Sequence, residues 1–246
     1  MRLRPSSCLS AGFSQVSSRW FPQAVGFAHR GARLAARENT LEAFRLALDE
    51  GVAGLESDVW LSADGEAVLD HDGLFGPPWR RRRVSELSLR ELPDYVCPLR
   101  ELYLQLGSDF ELSLDLKDPA ALDVVLELAA RAGAAQRLWL CWEGWASGPL
   151  APQAVLPAHP VESTDRRRMA GAEEALELLA DRGVHALNLH ASQWDAKLVQ
   201  RAHLLGLAAF AWDVQSRADL ERLLGLGIDA VYSDHPGLVC APLALP

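Results

Sequence analysis

Residues 24–72 read AVGFAHRGARLAARENTLEAFRLALDEGVAGLESDVWLSADGEAVLDHD. The apolar run 24–28 ends in His29-Arg30-Gly31, the pattern of a buried strand that delivers polar side chains at its C-terminal end. Thr40 then caps a helix whose Leu41, Phe44 and Leu48 recur at helical spacing and which Gly51 ends. Residues 52–60 form a second strand, with Glu56 and Asp58 facing one way and Leu55, Ser57 and Val59 the other, because side chains alternate across a strand. Asp64-Gly65 is a turn, and a short return strand over 66–69 brings His71-Asp72 back beside the carboxylates, as a hairpin would.

Outward from this stretch the strand and helix pattern repeats. Residues 73–98 are irregular, a loop insertion holding Gly76-Pro77-Pro78, the arginines 80–83 and a short helical segment over 85–92. A helix over 99–106 leads to a strand over 110–116, whose alternation puts Glu111, Ser113, Asp115 and Lys117 on one face. Further strands are expected over 137–142, 154–158, 186–189, 208–212 and 230–233. Helices are expected over 120–132, 173–182, 196–205 and 217–224.

Strands alternating with helices imply right-handed crossovers and a parallel sheet, and about eight strands is the number that closes a barrel. The expected fold is therefore an α/β single domain, a (β/α)8 TIM barrel over 23–246, with a short insertion after the second strand and a loosely ordered N-terminal tail over 1–22. An open doubly wound sheet is the runner-up, disfavoured because no Gly-rich dinucleotide fingerprint follows the first strand.

The chain has 246 residues and a formal charge of -9, which argues against a broad footprint on nucleic acid. Its four cysteines show neither a CxxC pair nor a zinc spacing, so a reducing, cytoplasmic setting is expected. No apolar run approaches the roughly 20 residues of a transmembrane helix. The tail contains Ser and Arg and no acid, a composition that also resembles an organellar transit peptide.

Chemistry concentrates in the opening stretch. Glu56 and Asp58, on one face of a strand, repel unless a cation or proton neutralises them, and oxygen ligands of this kind suit a hard divalent cation such as Mg²⁺ or Ca²⁺. His29 and His71 offer a proton-transfer pair near neutral pH. Trp212, at the end of the seventh strand, is a candidate wall for the substrate. The arginines 80–83 form a solvated loop or, with Trp79, meet an anionic part of the substrate outside the mouth.

These motifs, taken in order, resemble the glycerophosphodiester phosphodiesterases over about 24–238. The matching pieces are His29-Arg30-Gly31, Glu38-Asn39-Thr40, Glu56-Ser57-Asp58-Val59, Asp64-Gly65, His71-Asp72, Asp115-Leu116-Lys117, Trp212-Asp213-Val214, Gly227-Ile228-Asp229 and Ser233-Asp234-His235-Pro236. The resemblance implies a (β/α)8 barrel with one divalent cation held by Glu56, Asp58 and Asp115. It also implies His29 and His71 as acid and base, and Arg30 and Lys117 as phosphate contacts. Three positions depart from the family pattern: Asp115 where Glu is more usual, Arg37 where proline is common, and Asp213 where Thr often follows the tryptophan.

The expected activity is metal-dependent hydrolysis of a glycerophosphodiester to an alcohol and glycerol 3-phosphate, with Mg²⁺ or Ca²⁺, or alternatively Mn²⁺, as cofactor. A lysophospholipid substrate is the nearest alternative. It would need an apolar groove, for which Leu74, Phe75, Trp79, Trp142 and Trp145 are candidates. A catalytically silent barrel that binds a phosphorylated ligand is the third reading.

Overall fold

The structure, a computed structural model, describes residues 20–145, 148, 156–169 and 172–243, with the side chains of 172 and 173 excepted. Eight parallel strands close a barrel: β1 (Val25–His29), β2 (Gly54–Leu61), β3 (Glu111–Leu116), β4 (Leu138–Trp142), β5 (His159–Ser163), β6 (Ala186–His190), β7 (Ala208–Trp212) and β8 (Ala230–Ser233). Each pairs with its sequence neighbours, and β8 returns to β1 through Val25↔Ala230 and Ala28↔Ser233. Around them lie α1 (Leu41–Asp49), α2 (Leu99–Leu106), α3 (Leu122–Arg131), α4 (Ala172–Asp181), α5 (Ala196–Leu204) and α6 (Arg217–Leu226). Between β4 and β5 no helix occurs among the described residues.

Alternation divides the core in two. Side chains pointing outward, such as Leu55, Val59, Leu112, Leu114, Leu187 and Leu189, pack under the apolar faces of the helices, where Phe44, Leu102, Val125 and Leu220 are buried. Side chains pointing inward, such as Phe27, Trp139, Val161, Phe210 and Tyr232, fill the barrel itself. Helix starts follow capping chemistry, since Thr40, Asp195 and Ser216 each accept a backbone N–H of the first turn. The bottom of the barrel is shut by aromatics: Trp20 lies over His185 with ring centroids 4.5 Å apart and donates its indole N–H to Gly206, and Phe21 lies 5.0 Å from Trp139.

Two expectations are corrected. The fifth strand is His159–Ser163 rather than 154–158; positions 154 and 155 lie outside the described residues, and 156–158 are not strand. The apolar run drew attention away from a strand whose inner face carries His159, Val161 and Ser163 and which tolerates Pro160. The segment over 85–92 is two single 3-10 turns, Val84–Glu86 and Leu89–Glu91, rather than a helix. Glu86 and Glu91 each reach back to accept the backbone N–H three residues earlier, at Arg83 and Ser88, which closes one turn and leaves nothing to propagate. The insertion has its own small core of Val68, Phe75, Val84, Leu87, Leu92 and Val96.

Gly54 opens β2 where the Phe27 ring fills the barrel, and a Cβ there would stand 2.5 Å from that ring. Gly54→Ala should destabilise the fold by about 1–3 kcal/mol through overpacking. Chemical denaturation of the variant checks this, and an unchanged midpoint would show that the ring has room to yield.

Candidate active site

At the C-terminal ends of the strands lies a cavity of about 530 Å³ whose lining includes His29, Arg30, Glu56, Asp58, His71, Asp115, Lys117 and Trp212. Strand register explains much of this. His29 of β1 stands opposite Glu56 of β2, and Asp58 opposite Asp115 of β3, so all four reach the same rim. His71 arrives by the return strand Ala67–Leu69, antiparallel to β2, and by the Asp70 N–H donating to the Asp58 carbonyl at 3.1 Å.

The turn after β1 needs its sequence. The Arg30 N–H continues the β1–β2 ladder onto the Glu56 carbonyl at 3.0 Å and also reaches the Glu56 carboxylate at 3.0 Å, and Arg30 then takes a left-handed φ of 57°. Gly31 follows at φ 77°, and a Cβ there would meet the backbone of Ala43 in α1 at 2.7 Å. Only glycine combines that conformation with that approach. Asn39, also left-handed, accepts from the buried Ser57 hydroxyl at 2.7 Å and turns its amide toward Asp58 at 3.5 Å.

The three carboxylates are crowded and mostly dry. Burial, and then the charges of Asp58 and Asp115, push Glu56 well above the ordinary carboxylate range. Asp115 is also raised, by burial, against the pull of Lys117. Burial opposes the charge on Lys117, but Asp115 and Asp58 outweigh it and hold the ammonium up at about 12. Its Nζ lies 2.6 Å from Asp115 and 3.1 Å from Asp58, while Arg30 Nε lies 3.4 Å from Asp58 on the other side.

Each histidine has an acid at Nδ1: Asp234 at 2.6 Å from His29, and Asp72 at 2.8 Å from His71. An ionised carboxylate only accepts, so Nδ1 carries the proton and Nε2 is left with its lone pair. For His29, Nε2 lies 3.8 Å from Glu56. Burial draws His29 below its usual range, and the hydrogen bond to Asp234 only partly offsets this.

The sequence reading passed over several residues here. Asp234 was quoted only within a motif, although an acid just beyond a barrel strand is a signal in itself. Arg33 also lines the cavity; it meets Glu38 at 2.8 Å, and Glu38 in turn holds Arg30 at 3.0 Å. Of the proposed apolar groove, Trp145 is fully buried with its N–H on the Leu140 carbonyl, and Phe75 is buried in the insertion's core. None of the arginines 80–83 lines the cavity.

The donor set can be tested against a divalent cation. Its chemistry fits, since three oxygen-bearing side chains share one rim and the charges of Asp58 and Asp115 help raise Glu56. As the side chains stand, no group of three His, Cys, Asp or Glu residues is gathered tightly enough to hold an ion among the described residues. The Lys117 ammonium between Asp58 and Asp115 does part of that neutralising.

Residues 29–127 match the model of the glycerophosphoryl diester phosphodiesterase family. A probable glycerophosphodiester phosphodiesterase of Mycobacterium tuberculosis is 26% identical over 252 residues, covering 85% of this chain and 89% of that protein. The chain is similar to this family over that stretch and to its relatives over most of its length. The family's fold recurs in the glycerophosphodiester phosphodiesterase of Thermotoga maritima, with a TM-score of 0.77 at 22% identity over 89% of this chain and 97% of that one. It recurs also in an Oleispira antarctica phosphodiesterase solved with its product sn-glycerol-3-phosphate, with a TM-score of 0.71 at 22% identity over 88% and 95%.

Asp234 positions His29 and fixes its tautomer. Asp234→Asn should therefore cut turnover by about a hundredfold while changing KM little, because an amide can present its NH2 to Nδ1 and reverse the imidazole. Steady-state kinetics on the purified variant check this; a loss confined to KM would show that Asp234 serves binding instead.

Proposed function

We propose that the chain is a phosphoric diester hydrolase of the glycerophosphodiester phosphodiesterase type, cleaving a glycerophosphodiester to an alcohol and glycerol 3-phosphate with a divalent cation and two histidines. The observation that carries this reading is the charge balance of the cavity. Five carboxylates line it, from Glu56, Asp58, Asp115, Asp213 and Asp234, against three fixed cations, Arg30, Arg33 and Lys117. A phosphodiester is an anion, and such a lining accepts it only with further positive charge.

Glu56, Asp58 and Asp115 would hold the cation. When bound, it supplies Lewis-acid neutralisation of the phosphate charge. Arg30 and Lys117, already at the rim, bind the phosphate oxygens from other sides, Arg30 with a planar fork and Lys117 as a point charge. His29 and His71 divide removal of the nucleophile's proton and delivery of one to the leaving alcohol, each kept in one tautomer by its aspartate. Trp212, exposed at the end of β7, offers the cavity an aromatic wall.

The lining favours a small polar diester over an acyl chain. Among the described residues, it is polar or charged apart from Trp212, Tyr232 and Cys141. Product assays across glycerophosphocholine, glycerophosphoethanolamine, glycerophosphoinositol and lysophosphatidylcholine separate the two readings, and turnover of the last alone would reverse the preference.

His29→Ala and His71→Ala should each lower turnover by about a hundredfold or more with the circular dichroism spectrum unchanged. Near-normal rates in either variant would strip that histidine of its role. Chelation should abolish activity, and Mg²⁺, Ca²⁺ or Mn²⁺ should restore it. Full activity after exhaustive dialysis against chelator would remove the cation from the mechanism.

A further inference from the structure

We propose that the hairpin spanning 74–83 is an interfacial anchor that seats the mouth of the barrel on an anionic lipid surface. Its two short strands pair Leu74 with Arg83 and Phe75 with Arg82, and its tip is Gly76-Pro77-Pro78-Trp79-Arg80-Arg81. The base is fixed, because Phe75 and the adjoining Val84 are buried in the insertion's core and two successive prolines limit the backbone of the turn. On this rigid stem Trp79 is 85% exposed, and Leu74 beside it is 41% exposed. A large indole held in water by a packed hairpin has no role in stabilising the fold.

The charge around it is specific too. Of the four arginines only Arg82 forms an ion pair among the described residues, with Glu91 at 3.1 Å. The nearby Glu86 is already engaged by the Arg83 N–H. Arg80, Arg81 and Arg83 are exposed in a chain whose net charge is -9. An exposed tryptophan flanked by arginines suits the boundary between headgroups and water, where the ring is buried in the interface and the guanidinium groups meet anionic headgroups. Nucleic acid is the weaker fit, since one short hairpin tip lacks the extended run of cations that binding a phosphate backbone needs.

The anchor stands at the rim of the site. It follows His71-Asp72 directly, and its root residues Leu74 and Phe75 line a side cavity of about 230 Å³ together with Glu38, Asn39 and Asp72. Glu38 is the partner of Arg30. Docking by this tip would place the cavity at the surface where its substrate arises, because a glycerophosphodiester is what remains when both acyl esters of a phospholipid are hydrolysed. That last step rests on the proposed function, whereas the docking itself does not.

Co-sedimentation with vesicles tests the docking without reference to catalysis. The protein should pellet with vesicles of phosphatidylcholine and phosphatidylglycerol at low salt and stay in solution with phosphatidylcholine alone. Trp79→Ser and the double variant Arg80→Ser/Arg81→Ser should each reduce partitioning by about tenfold. Both should keep the wild-type circular dichroism spectrum and wild-type hydrolysis of a water-soluble glycerophosphodiester, since none of these residues lines the cavity. Failure of the wild type to pellet with anionic vesicles, or pelleting of the variants like wild type, would overturn the proposal. So would tighter retention on single-stranded RNA than on the vesicles. Absence of turnover on every soluble diester, with vesicle binding intact, would count against the proposed function alone.

Discussion

Three carboxylates on two neighbouring strands, Glu56, Asp58 and Asp115, are crowded at one rim, and the surrounding structure answers the charge they create. Two unit charges about 4 Å apart repel by roughly 4 kcal/mol at the effective dielectric typical of partly buried pairs. A barrel tolerates this only where something opposes it. Lys117 extends from the same face of β3 as Asp115 and reaches Asp58 as well. Arg30 contributes its N–H to Glu56 and its guanidinium to Asp58. The left-handed turn at Arg30-Gly31 follows at once and carries the chain close against Ala43 of α1.

The sequence displayed most of this because strand alternation is simple. Glu56 and Asp58 two apart, and Asp115 and Lys117 two apart, share faces whatever the details of the helices. What it hid depends on convergence between distant segments. Asp234 is far from His29 in the chain, and no local pattern reveals a contact of 2.6 Å between them. Nor does periodicity reveal a strand such as His159–Ser163, whose inner face turns polar toward the mouth and whose second residue is proline. His203 Nε2 lies 2.8 Å from Asp229, which also accepts the Ala209 N–H at 2.7 Å. The acid of Gly227-Ile228-Asp229 thus joins α5 to the start of β7 and has no place at the mouth.

The two ends of the barrel divide stability from chemistry. At the bottom Trp20, Phe21, Trp139, His159 and His185 stack into a plug whose polar atoms are spent within the protein, as in the 3.0 Å contact between the Nδ1 atoms of His159 and His185. At the top the inward residues change to Glu56, Asp58, Asp115, Asn188 and Ser163, and the cavity opens. The middle layer, with Phe27, Phe210 and Tyr232, separates them. Burial against this floor also makes Glu56 and Asp115 costly to ionise.

The same reasoning distinguishes the two histidines. Both have an aspartate at Nδ1, so their tautomers agree, but their surroundings do not. Asp234 is itself held by Arg33 at 3.4 Å and is largely shielded, whereas Asp72, just beyond the return strand, is largely exposed. His29 therefore sits in a drier corner beside Glu56, and His71 sits at the solvent edge where the insertion begins. An enzyme that must take a proton from one oxygen and give one to another gains from that inequality, because two imidazoles in identical settings would compete for the same protonation state. Under the proposed function, environment more than residue type is what would give this pair of like side chains two different tasks.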